Sequence, residues 1–176
     1  MTERLFFALW PDAATQACLA RGLPEWAAGL DGRRQRPDQW HVTLEFIGAA
    51  DGARRAALEA AAEGLTLPGF ELLFDRCEYW RKAQVACLVA SVTPEPLARF
   101  LVQLRAAVAM AGFEPESRPW RPHVTIARKV RSATDGPVTP PLRWPATAFA
   151  LVRSVSEPAG SRYEPLRWWN GVTRGG

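Results

Sequence analysis

The sequence predicts an α+β fold made of two similar lobes. Three observations predict it. An order of parts occurs twice: strand, helix, Pro-containing loop, and then a strand opening on His-Val-Thr. The spacing from Leu5 to His41 nearly matches that from Val85 to His123. The chain of 176 residues has 2 histidines, and both sit in the repeated triplet, His41 in QWHVTLEFIG and His123 in RPHVTIARK. Arg, Pro and Trp precede each: Arg36, Pro37 and Trp40, then Pro119, Trp120, Arg121 and Pro122. A chain this long suits one domain or two tightly packed lobes. A single bilobal domain over residues 1–176 is expected, and a pseudo-two-fold would bring both histidines to one cleft.

The elements follow in order. RLFFALW (4–10) reads as a short buried strand, ended by Pro11, with Asp12 placed to cap the next helix. That helix, AATQACLARGLPEWAAGL, should bend or break near Gly22–Pro24. The polar stretch DGRRQRPDQ leads to a strand over 41–47, closed by Gly48. GARRAALEAAAEGL is Ala-rich and helical, stopped by Gly64. FELLFDRCEYW and QVACLVASV read as two strands of a hairpin joined at RKA. In PEPLARFLVQLRAAVAMAG, residues Leu97, Phe100, Leu101, Leu104 and Val108 form one apolar stripe, and Gly112 sits at the C-cap. A Pro-rich loop (113–122) precedes the second His-Val-Thr strand (123–129). SATDGPVTPPLRWPA reads as an irregular loop. FALVRSVS and YEPLRWW complete the strands.

Bulk properties exclude several classes. Lys plus Arg number 22 against 18 Asp plus Glu, a net charge of +4, so anionic partners are favoured only weakly. The six apolar residues Leu5–Trp10 are too few for a signal h-region or a bilayer span. A soluble, cytoplasmic protein with no membrane contact is expected, acting as a monomer. Cys18, Cys77 and Cys87 match no zinc spacing. Cys77 and Cys87 are placed to face each other across the hairpin; all three read as small core thiols. No Ser or Cys nucleophile signature and no GxxxxGK phosphate loop is present.

Side chains alternate across a strand, so His41, Thr43 and Glu45 should share one face and Val42, Leu44 and Phe46 the other. In the second motif His123 and Thr125 oppose Val124 and Ile126. Each strand thus shows imidazole and hydroxyl together, about 6–7 Å apart. Two such units around one small group suit a phosphate diester. A neutral imidazole takes a proton from water, and a protonated one gives a proton to the leaving oxygen. Threonine hydroxyls donate to the non-bridging oxygens. A single HVT triplet is an ordinary β-favouring run, and a single strand histidine is most often structural. Both histidines of the chain in matching places of a repeat favour chemistry. Zinc fits poorly, because only Glu45 adds a ligand on a suitable face; it reads instead as a solvated or supporting carboxylate.

The pair HVTL (41–44) and HVTI (123–126) resembles the duplicated H-x-[ST]-x motif of the two-histidine (2H) phosphoesterase superfamily. The flanks RLFFALWPD, WHVTLEFIG, RPHVTIAR and SRYEPLRWW are similar to the bacterial RNA 2′,3′-cyclic phosphodiesterases, also called 2′-5′ RNA ligases. This resemblance implies two antiparallel-sheet lobes with helices packed outside and a central cleft. It implies hydrolysis of a terminal RNA 2′,3′-cyclic phosphate to a 2′-phosphate without metal or cofactor, with joining to a 5′-hydroxyl as the reverse type of reaction. By resemblance His123 is the base that activates water, His41 the acid, and Thr43 and Thr125 the phosphate-holding hydroxyls. The residues alone leave the acid and base roles open.

Arg128 matches a recurrent family arginine, yet alternation puts it on the Val124–Ile126 face unless the strand bulges. Tyr163 matches a family tail position, for packing or base stacking. Arg33, Arg34 and Arg36, with Arg118 and Arg121, precede the two motifs and either track RNA phosphates or form a solvated surface. Two other readings stand beside RNA-end hydrolysis. One is the same chemistry on small cyclic nucleotides or an ADP-ribose cyclic phosphate. The other is an RNA-end binding protein without catalysis.

Overall fold

Two antiparallel sheets carry the fold in the computed structural model, which describes residues 2–158 and 160–171. The strands are β1 (Glu3–Leu9), β2 (Arg33–Arg34), β3 (Val42–Ala50), β4 (Phe70–Trp80), β5 (Val85–Val89), β6 (His123–Arg128), β7 (Gly136–Ala146), β8 (Ala148–Glu157) and β9 (Gly160–Asn170). The helices are α1 (Ala13–Gly22), α2 (Pro24–Ala28), α3 (Gly52–Ala62) and α4 (Glu95–Met110). One sheet has the order β3-β1-β8-β9 and the other β2-β6-β5-β4-β7. In each, the motif strand lies beside the first strand of its repeat: β3 beside β1, and β6 beside β5. This is the two-lobed α+β architecture that the repeat predicts.

Local chemistry sets the helices. The Asp12 carboxylate accepts from the Thr15 amide at 2.7 Å, which caps α1 as expected. The first helical stretch breaks at Leu23, where Pro24 starts α2. Asp51 caps α3 in the same way, through the Arg54 amide. On α4 the stripe Leu97, Phe100, Leu101, Leu104 and Val108 is buried, and Gly112 ends the helix at φ +82°. Helix α1 packs on β7, whereas α3 and α4 pack on β3 and on each other. Helices α1 and α4 therefore each cover a strand of the opposite lobe.

One large core joins both sheets and the helices, with Leu5, Phe7 and Leu9 of β1 and Leu88 and Val124 of the second lobe in it. The remaining residues of the same strands face the cleft. Phe6 and Ala8 pack with Ala150, Val152 and Tyr163, and Val85, Cys87 and Val89 with Trp80. Both inner strands are thus buried on two faces, which their unbroken apolar runs reflect.

Several expectations are corrected. The stretch 136–146 is a full strand, β7, paired to β4, rather than an irregular loop. Its four prolines lack donors, and an edge position removes the need for them. The first motif strand passes Gly48, which takes φ +84° in a bulge, and continues to Ala50. Arg33 and Arg34 form a short edge strand against β6. Cys77 pairs with Leu88, and Glu78 with Cys87, so the two thiols point to opposite faces. Among the described residues no helix is long and apolar enough to cross a membrane.

Candidate active site

The two histidines are held by the same device. The Nδ1–H of His41 donates to the Gln39 carbonyl at 2.9 Å. The Nδ1–H of His123 donates to the Arg121 carbonyl at 2.8 Å. A carbonyl oxygen only accepts, so each Nδ1 carries the proton and Nε2 is left for the cavity. The residue two before each histidine supplies that carbonyl.

The side chain of that same residue also steadies an aromatic ring against the imidazole. Gln39 Oε1 accepts from the Tyr163 amide at 2.7 Å, and the Tyr163 ring meets His41 edge-on at 4.7 Å. Arg121 binds Glu78 at 2.8 and 3.0 Å, the indole of Trp80 donates to Glu78 at 2.9 Å, and the Trp80 ring lies 4.6 Å from His123. Trp10 stacks on His41 at 5.3 Å, with the planes 8° apart, and the Phe6 ring meets it tilted at 5.0 Å.

Both motif strands bulge at the residue after the threonine. Ala8 pairs with Thr43 and Phe7 with Glu45, so Leu44 is the extra residue. Cys87 pairs with Thr125 and Ala86 with Ala127, so Ile126 is the extra residue. A bulge inverts the alternation beyond it. This overturns two expectations for the first motif: Glu45 turns inward, 1% exposed, and Phe46 turns outward, 42% exposed. Neither a solvated Glu45 nor a core Phe46 is found. Glu45 instead binds Arg105 Nε at 3.0 Å and the Glu116 amide at 2.5 Å, which ties β3 to α4 and to the loop before β6. In the second motif the bulge returns Arg128 to the face of His123.

Two adjoining cavities result. One, of about 330 Å³, has walls from Phe6, His41, Thr43, Phe46, Arg128 and Tyr163. The other, of about 490 Å³, has walls from Thr43, Phe46, Trp80, Trp120, His123 and Arg128. Thr43, Phe46 and Arg128 belong to both and so join the two histidines. Thr125 lines neither; it is partly buried, 4.0 Å from the Cys87 sulfur. Of the basic residues before the motifs, Arg118 and Arg121 line the cleft, while Arg33, Arg34 and Arg36 line a separate hollow with Arg162.

Electrostatics distinguish the two imidazoles. Burial, helped by the charges of Arg128 and His123, lowers the His41 pKa to about 4. Burial, with Arg128 and Arg121, also lowers that of His123. Both are therefore neutral in the empty site at pH 7. Burial pushes the Cys87 thiol up to about 12, so it is a neutral neighbour of Thr125 and no nucleophile. Arg128 donates weakly to the Tyr163 hydroxyl at 3.4 Å, and its buried Nε has no partner among the described residues. Among those residues no three His, Cys, Asp or Glu side chains cluster as metal ligands.

A family model described as the 2′-5′ RNA ligase superfamily matches residues 19–157. The chain belongs to that family. It is similar to the RNA 2′,3′-cyclic phosphodiesterase of Escherichia coli (strain K12), at 30% identity over 95% of this chain and 96% of that protein. It is also similar to the RNA 2′,3′-cyclic phosphodiesterase of Thermus thermophilus, at 29% identity over 93% of this chain and 87% of that protein. The crystal structure of E. coli LigT complexed with 3′-AMP matches with a TM-score of 0.83 at 29% identity, covering 98% of this chain and 100% of the other. These findings bear out the membership that the twin motifs imply.

Sequence reasoning missed Phe46, Gln39 and Glu78 as parts of the site. Phe46 was open to detection by laying the two motifs over one another, since it falls where Arg128 falls. Gln39 leaves no such mark, because its first contribution is a backbone carbonyl.

Proposed function

We propose that this protein hydrolyses the terminal 2′,3′-cyclic phosphate of RNA to a 2′-phosphate by acid–base catalysis between His41 and His123. One observation carries the reading: two imidazoles, each with Nδ1 fixed by a carbonyl, border adjoining cavities that share Thr43 and Arg128, which no carboxylate pairs with among the described residues. The names of the E. coli and T. thermophilus relatives support the same activity.

In the reaction, His123 Nε2 takes a proton from water as the water oxygen bonds to phosphorus. The bond from phosphorus to O3′ breaks, and O3′ takes a proton from His41 Nε2. Family resemblance assigns these roles. Thr43 and Arg128 stabilise the charge that grows on the non-bridging oxygens. The same resemblance makes Thr125, which shares the strand face of His123, the second phosphate-holding hydroxyl. His41, neutral in the empty site, gains its proton when the anionic phosphate arrives, because a neighbouring negative charge favours the imidazolium.

The test is an oligoribonucleotide with a 2′,3′-cyclic end, incubated with the protein and EDTA. The expected product is a 2′-monophosphate, with a bell-shaped pH dependence. Loss of activity on chelation, or a 3′-monophosphate product, overturns the mechanism. The protein is proposed to act as a cytoplasmic monomer; sedimentation at working concentration checks the oligomeric state.

A further inference from the structure

We propose that Arg4, Ser154 and Ser161 form a second anion subsite. It takes the phosphodiester on the 5′ side of the terminal nucleoside and so favours RNA ends over free nucleoside cyclic phosphates. The inference rests on the function proposed above and names its substrate class.

Five arginines line the two cavities: Arg4, Arg105, Arg118, Arg121 and Arg128. Carboxylates hold three of them. Arg105 pairs with Glu45, Arg118 with Glu116, and Arg121 with Glu78. Such pairs have little charge left for a passing phosphate. Arg128 lies beside the imidazoles, where the reacting phosphate sits. Arg4 is the remaining cation. It is exposed, and among the described residues no carboxylate pairs with it. Its guanidinium carbon lies 5.7 Å from the ring centre of Phe46.

The sheet register gives Arg4 polar neighbours. Arg4 lies opposite Ser154 on β8, and Ser154 lies opposite Tyr163 on β9. Ser154, Ser161 and Arg4 all line the cavity that holds His41. Along β1, Arg4 and Phe6 share the cleft face about 7 Å apart, and the Phe6 ring is 5.0 Å from that of His41. A nucleoside with its base on Phe46 and its cyclic phosphate at His41 has its 5′ side one short step away. A guanidinium with two hydroxyls suits phosphodiester oxygens there. The surface cation–π contact with Phe46 is weak enough to coexist with that role.

Three substrates test the subsite: a nucleoside 2′,3′-cyclic phosphate, the same compound with a 5′-phosphate, and a dinucleotide with a 2′,3′-cyclic end. The expected kcat/KM is about tenfold higher for the second and third, the range of a partly exposed charge-assisted contact. Arg4→Met, which keeps an unbranched stem over Phe46, brings both ratios to about one, and Arg4→Lys restores part. The salt dependence of dinucleotide turnover flattens in Arg4→Met. Equal kcat/KM for all three in the wild type, or unchanged ratios in Arg4→Met, overturns the subsite while the phosphodiesterase reading stands. No turnover of any of the three overturns both.

Discussion

Phe46 and Arg128 hold the same place in the two halves of the molecule: each follows a histidine, a threonine and a bulge, and each turns into the cleft. One half delivers a flat apolar ring there and the other a planar cation. The site is symmetric in its imidazoles and asymmetric in the groups that meet the rest of the substrate.

That asymmetry sets the first expectation. Base–aromatic stacking contributes about 1–3 kcal/mol, so Phe46→Ala should lower kcat/KM on RNA ends about tenfold to a hundredfold, mainly through KM. Arg128→Ala should lower kcat by on the order of 10²–10³, as loss of a donor to a developing oxyanion does. Steady-state kinetics separates the two, and a wild-type KM in Phe46→Ala removes the ring from the substrate path.

The lowered pKa of His41 makes two measurable demands. By NMR, its ring protons should titrate near 4 in the empty protein and at clearly higher pH with inorganic phosphate bound. Stability is linked to the same proton. The unfolded histidine titrates near 6.5, so between that value and about 4 the unfolded chain binds more protons. The protein should lose stability as pH falls through this window, and the His41 contribution should vanish above it. Urea midpoints for wild type and His41→Gln, compared from pH 7.5 to 4, isolate the effect.

Glu78 holds both groups that steady His123, the Arg121 segment and the Trp80 ring. Glu78→Gln should cut kcat on the order of tenfold to a hundredfold with little change in KM, because small misplacement of a reacting group is expensive in rate. It should also lower the His123 pKa further, since the charge of Arg121 is then uncompensated. Wild-type kcat together with an unmoved His123 titration argues against this positioning role.

Glu45 is the buried ion-pair partner of Arg105. Glu45→Ala strands the Arg105 guanidinium, whose NH2 group already lacks a partner among the described residues. Breaking a buried pair costs about 3–5 kcal/mol, and the partial exposure of Arg105 places this one near the lower end. Chemical denaturation measures it directly.

The histidines are legible in the sequence because a scarce residue occurs twice in one pattern, and the lobes because that pattern sits in a repeated order of parts. The α4 stripe and the Asp12 cap are legible because each follows from local geometry. The bulges are not. Strict alternation is the right prior for HVTLEF and HVTIAR, and a single inserted residue, set by pairing with β1 and β5, exchanges the faces of Glu45 and Phe46 and redirects Arg128. β7 is hidden for another reason: Pro137, Pro140, Pro141 and Pro145 read as a loop until an edge position makes their missing donors harmless.

The sheet beside His41 joins strands far apart in sequence, with β1 pairing to β8 from Arg4–Ser154 to Leu9–Phe149. During synthesis on the ribosome, β1 therefore lacks its second neighbour until β8 has been released. Its apolar edge stays open to wrong pairings throughout that interval, a hazard that grows with the sequence distance between partners. A chaperone occupying that edge should therefore raise the yield of native protein.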